Sequence, residues 1–126
     1  MGTNNVGGPQ WDLDSFTISE PDQIVEAGAP FNISVVFHGS GSMWTGMENS
    51  GAQFVYSVFA EGIGLATPEV DFTPITANLT SGGSPYTVIL PASLAQVGVY
   101  RLACTVTFPL FPGVVGHLEN LLIQVY

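Results

Sequence analysis

The chain is nearly devoid of positive charge. Arg101 is its single Lys or Arg, set against ten Asp and Glu, and the formal net charge is −9. Nucleic-acid binders need several Lys and Arg to displace phosphate counterions, so that class is excluded. A polybasic attraction to anionic membranes fails for the same reason. The acidity reads first as a device that keeps an apolar protein dispersed. Its other uses are to hold a cation or to meet a basic partner. Cysteine is equally scarce: Cys104 is alone, so no internal disulfide can form, and the compartment is left open. No apolar run reaches the length of a membrane helix, which excludes insertion by that route. The opening MGTNNVGGPQ has no basic n-region and no apolar core, so it does not read as a signal peptide. Residues 1–10 are expected to form a flexible tail, or the cut end of a longer surface or secreted protein. A lipidation signal beginning MG wants Ser or Thr where Val6 stands, and is rejected.

Charged residues make up only 9% of the chain and hydrophobic ones 46%, the reverse of a disordered profile. With 126 residues, one domain over 11–126 is expected. Such a domain buries about two-thirds of its unfolded surface and needs no staples. No segment sustains a helical period. Period-two stretches recur between turn residues instead. DSFTISEP (14–21) alternates Phe16 and Ile18 with polar residues and stops at a proline. QIVEAGAP (23–30) reads as a short edge. FNISVVF (31–37) sets Phe31, Ile33, Val35 and Phe37 on one face. QFVYSVFA (53–60) sets Phe54, Tyr56 and Val58 together. VDFTPITANL (70–79) is a weaker strand broken by Pro74. YTVIL (86–90) groups Tyr86, Val88 and Leu90. VYRLACTVTF (99–108) groups Tyr100, Leu102, Cys104, Val106 and Phe108, and ENLLIQVY (119–126) ends with Leu121, Ile123 and Val125 inward. About seven or eight strands joined by Gly, Ser and Pro predict an all-β sandwich or barrel. At most one short helical turn is expected, near 91–97, between Pro91 and Gly98.

The segment LAQVGVYRL (94–102) places an apolar residue, a glycine and a tyrosine ahead of an alternating strand. It resembles the tyrosine corner of immunoglobulin-like and fibronectin-like β-sandwiches, with Leu94, Gly98 and Tyr100 in the matching places. The resemblance implies a Greek-key immunoglobulin-like sandwich in which the Tyr100 hydroxyl bonds back to upstream backbone. Antibody hallmarks are missing. Gln96 stands where an aspartate is frequent, Leu102 where a cysteine would sit, Ile33 or Val35 opposite it, and Phe54 or Tyr56 in place of the core tryptophan. The superfamily hosts many roles, so the resemblance names no function.

Parity then assigns the two singletons. Cys104 shares the face of Tyr100 and Leu102 and is expected in the core as a small hydrophobe. Arg101 has the opposite parity and is expected outside, paired with an acid on a neighbouring strand. Tyr100, Leu102 and Cys104 are thus structural residues.

Few residues invite chemistry. A blue-copper set would draw on His38, Cys104 and His117 with Met43 or Met47, but twelve residues separate the cysteine from the second histidine and no Met follows. Zinc spacing is equally poor. GSGS (39–42) beside His38 lacks the spacing of a serine elbow. No catalytic residue, metal site or cofactor is expected. Asp12 with Asp14, and Glu69 with Asp71, are the weak calcium candidates. Asn32 and Asn78 head chance-level glycosylation motifs.

Two features point to binding. HGSGSMWTGMENSGAQ (38–53) reads as a long loop whose Met43, Trp44 and Met47 either form a contact surface or cap the core. Val55 and Phe59 lie on the face of their strand opposite Phe54, Tyr56 and Val58, where a sandwich strand should be wet. The C-terminal strand, the loop FPLFPGVV (108–115) or another subunit would have to cover them. The reading is a non-enzymatic interaction or structural module working through protein contacts, including self-association. The alternative is a carbohydrate- or calcium-binding accessory module.

Overall fold

The computed structural model describes residues 10–20, 23–64 and 69–126. Its elements in chain order are β1 (Gln10–Ile18), β2 (Ile24–Val25), β3 (Phe31–Ser40), α1 (Gly41–Asn49), β4 (Gln53–Ile63), β5 (Val70–Asp71), β6 (Ile75–Asn78), β7 (Tyr86–Ala92), β8 (Gly98–Thr107) and β9 (Val115–Val125). Residues 1–9 of the expected tail lie outside the described residues, and Gln10 already belongs to β1.

The strands form two sheets, β1-β3-β7 and β2-β9-β8-β4-β5, with β6 also pairing β4. Among the described residues every pairing is antiparallel except β2 on β9. Among the described residues the chain crosses between the sheets after β1, β2, β3, β6 and β7. The result is an all-β, immunoglobulin-like Greek-key sandwich.

Alternation places the core. Phe31, Ile33, Val35 and Phe37 of β3 are buried, as are Phe54, Tyr56, Val58 and Ala60 of β4, and Tyr100, Leu102, Cys104 and Val106 of β8. Burial of each of the valine, leucine, isoleucine and phenylalanine side chains among them stabilises by about 1.5–3 kcal/mol, and a slip of one residue would turn a whole set outward. The Tyr100 hydroxyl donates to the Gln96 carbonyl at 2.8 Å, closing the tyrosine corner across the turn before β8. An acceptor on the backbone makes the missing aspartate immaterial.

Two bulges break the period. Leu13 opposes Phe37 and Ser15 opposes Val36, so Asp14 is an extra residue in β1. Trp11 and Leu13 point inward before it, and Phe16 and Ile18 pack against the core after it. In β9, Leu121 opposes Leu102 while Leu118 opposes Cys104, which inserts one residue and keeps both leucines buried. Pro91 sits within β7, an outer strand of its sheet, where a missing N–H is tolerated.

The helix is a correction. Residues 93–97 are not helical, and β7 runs through Ala92. The helix found among the described residues is α1, inside the segment expected to be a loop. Gly41, Ser42, Thr45 and Gly46 are weak helix formers, so tertiary docking holds it rather than propensity. Its end is well specified. Gly51 takes φ +67°, its N–H reaches the Glu48 carbonyl and that of Ala52 reaches Met47, a Schellman closure.

Candidate interaction surface

The α1 region has the wrong exposure for a contact loop. Trp44 is 1% exposed and Met47 is buried as well, leaving only Met43 in solvent. The Trp44 ring stacks on Trp11 at 5.9 Å and meets Phe37, Phe108 and Tyr86 edge-on. Its Nε1–H donates to Ser84 Oγ at 3.0 Å, so the indole is buried with its polar atom satisfied. Gly39 makes room, since a Cβ there would run into the indole. Glu48, also buried, accepts from the Tyr86 hydroxyl at 2.7 Å and the Ser84 N–H at 3.2 Å. Burial and this carboxylate together push the Tyr86 hydroxyl pKa up. Of the two readings for Trp44, capping is the one the geometry carries. Met43, Trp44 and Met47 therefore do not make a joint contact surface.

The other candidates separate. The bulge at Asp14 brings its carboxylate to Nδ1 of His38 at 2.8 Å, an exposed pair on the outer side of β1 and β3. Asp12 opposes His38 in register. Among the described residues, no three His, Cys, Asp or Glu gather where they could hold a metal. Cys104 faces the core, His117 lies on the opposite side of that sheet beside Glu119 at 3.0 Å, and His38 belongs to the other sheet, so the copper set is not assembled. A helix does follow His38 and Ser40, but His38 bonds Asp14 rather than either nearby serine. Burial pushes the Cys104 thiol up to about 12, which makes it an inert core residue. Burial likewise raises Tyr56, with Cys104 beside it as the lesser cause. Asn32 and Asn78 are both exposed.

What remains is the outer face of the six-stranded sheet. Phe59 opposes Ala103 and Asp71; Glu61 opposes Arg101, which opposes Leu122; Ile63 opposes Val99, which opposes Gln124, which opposes Ile24. Cross-strand partners share a face, so these side chains form one surface. Ile24, Phe59, Ile63, Val99 and Leu122 are all exposed on it, between 38% and 47%. Val55 lies on the same face, half-buried. Neither intrachain cover arrives. The C-terminal segment is β9, a member of the sheet that adds Leu122 to the surface, and Leu110 of the preceding loop is itself exposed. Arg101 Nη1 pairs with Glu61 at 3.2 Å, both well solvated, a bond of small worth to stability. Around it a depression of ≈ 410 Å³ is lined by Phe59, Glu61, Glu69, Arg101, Ala103 and Glu119. Sequence reading found Phe59 and Val55 but missed Ile24, Ile63, Val99 and Leu122. Ile63 lies on β4 itself, beyond the stretch that alternation marked out, and Val99, Leu122 and Ile24 join the patch only through the register of three other strands.

Comparison with known proteins places the architecture. No protein family's sequence model matches the chain, and no curated protein does. Solved structures do resemble it. The CARDB domain of the PF1109 protein from Pyrococcus furiosus, solved in complex with di-metal ions, has a TM-score of 0.56 at 16% identity, covering 98% of this chain and 94% of that one. The superoxide reductase (neelaredoxin) from Ignicoccus hospitalis gives 0.55 at 17%, covering 90% and 82%. A beta-glucosidase from Listeria innocua gives 0.54 at 11%, over 93% of this chain but only 16% of that one. The shared feature is the sandwich. At these identities the likeness speaks to fold, and the neighbours' activities stay their own.

No helix among the described residues is long and apolar enough to cross a membrane.

Proposed function

We propose that this domain is a non-catalytic interaction module that engages a protein through the outer face of its six-stranded sheet. The carrying observation is the contiguous patch of Ile24, Phe59, Ile63, Val99 and Leu122, exposed on one face and covered by nothing else among the described residues. Apolar patches of this kind mark interaction sites. The titratable groups support a non-catalytic reading, because the bonds of His38 and His117 run to carboxylates rather than to a nucleophile and the thiol is buried. A carbohydrate platform loses its main support with Trp44 inside, and a calcium site finds Asp14 already joined to His38.

The test is photo-crosslinking from a benzoylphenylalanine at position 59, with position 89 on the outer side of the other sheet as control. It is run on the pure protein and in an extract of its source cells, with and without calcium. Ile89 is as exposed as the patch but stands apart from it. Protein adducts from 59 and not from 89 support the reading, whether the adduct is a second copy or another protein. Equal or absent adducts from both positions overturn it.

A further inference from the structure

We infer that the partner of this face is basic, and that a Lys or Arg of the partner enters the depression beside Phe59. The inference rests on the interaction reading above and names the chemistry it left open. The apolar lining of the depression is Phe59 and Ala103. The rest of its lining carries three carboxylates, Glu61, Glu69 and Glu119, and one guanidinium, Arg101. Asp71 adds a fourth acid beside Phe59 in register. Arg101 is paired with Glu61 and His117 with Glu119, so among the described residues Glu69 and Asp71 are the acids here left to meet an incoming cation, with Glu61 and Glu119 able to share theirs.

A long cationic side chain fits this arrangement by parts. Its methylene stem covers Phe59 and Ala103, and its charged head reaches the carboxylates. An aromatic face beneath a cation adds a further attraction. The surrounding patch of Ile63, Val99, Leu122 and Ile24 supplies the apolar contact that charge alone lacks. A second copy of the chain is a poor occupant. It would bring another net charge of −9 and, as its one Lys or Arg, an Arg101 already paired. Opposing like charges across an interface disfavours that partner, and a basic one is steered in.

The probe is a fluorescein-labelled eight-residue peptide alternating arginine and valine, with a glutamate–valine peptide as its control, read by fluorescence anisotropy at two salt concentrations. The arginine peptide is expected to bind about tenfold or more tightly than the glutamate one, and to weaken with salt. The E69Q/E119Q variant should weaken it about tenfold, whereas D12N/E20Q, which removes the same charge on and beside β1 of the other sheet, should change it by less than about twofold. Phe59→Ser should weaken it as well. Equal losses from both charge pairs would mean attraction to bulk charge and would overturn the inference, as would no difference between the peptides. Light scattering separates this from the parent reading. A wild-type dimer that becomes monomeric in Phe59→Ser overturns the basic partner while leaving the interaction face standing. A wild-type monomer with no crosslink from position 59 removes both.

Discussion

Trp44 and Phe59 belong to neighbouring elements, are both large and aromatic, and meet opposite fates. Trp44 is carried by the crossing from one sheet to the other. There the open end of the sandwich offers a volume to fill, and Ser84 offers an acceptor for its N–H. Phe59 is carried by the outer face of an interior strand of its sheet, where no later segment of the described chain returns to lie over it. A large side chain in a sandwich is thus buried by where its backbone crosses, not by its size. An aromatic left outside is informative because the fold had nowhere to put it.

The sharpest way to break this contrast is Trp44→Ala. Removing the indole empties the space among Trp11, Phe37, Tyr86 and Phe108 and orphans the means by which α1 is docked. The expected loss is about 3–5 kcal/mol in chemical denaturation. A loss below about 1 kcal/mol would mean the helix is a detachable loop after all, and would restore the contact reading for Met43, Trp44 and Met47.

The same inside–outside division runs along β8, where Cys104 faces the core and Arg101 faces solvent. Burial raises the native Cys104 pKa from 9.0 to about 12. Above pH 9 the unfolded thiol ionises while the native one stays protonated, so the unfolded state binds fewer protons. Stability from this group is therefore complete below pH 9 and is lost as pH rises from 9 towards 12, with a limiting slope of about 1.4 kcal/mol per pH unit. Tyr56 acts in the same direction, starting from its unfolded value of 10.0. Denaturation midpoints between pH 7 and 11 check this. Cys104→Ala should show the shallower fall, and an unchanged slope would place the thiol in contact with water.

A smaller effect is expected at the tyrosine corner. Tyr100→Phe keeps the buried ring and removes the hydroxyl that bonds the Gln96 carbonyl. The cost should be about 1 kcal/mol. A neutral result would mean that water satisfies the carbonyl equally well, and that packing of the ring alone anchors β8.

These residues also show what was legible beforehand. β3, β4, β7 and β8 announced themselves by alternation, and the Gly98–Tyr100 spacing announced the corner, because each is a local pattern. The bulges were not legible. At Asp14 the inward parity switches from Trp11 and Leu13 to Phe16 and Ile18, so a period-two reading captured only the second half of β1. The helix was hidden because its glycines and serines resemble a loop, and only the docking of Trp44 and Met47 outweighs that composition. Ser50 followed by Gly51 was the available signal for its end. On the outer face of the six-stranded sheet, Phe59 and Val55 broke the alternation visibly, but their neighbours Leu122, Val99 and Ile24 lie on three other strands.

The smallest expected effect on stability is also the one that bears most on function. Phe59→Ser takes a large side chain from a surface where it is 38% exposed and where its strand's inner residues are untouched. Loss of strand propensity and cross-strand contact at such a site changes stability by no more than about 1 kcal/mol. The protein should therefore unfold at nearly the wild-type denaturant concentration while its binding through this face weakens. If instead Phe59→Ser costs several kcal/mol, the ring is held by the fold itself. Phe59 would then belong with Trp44 as structure, and the patch would lose its centre.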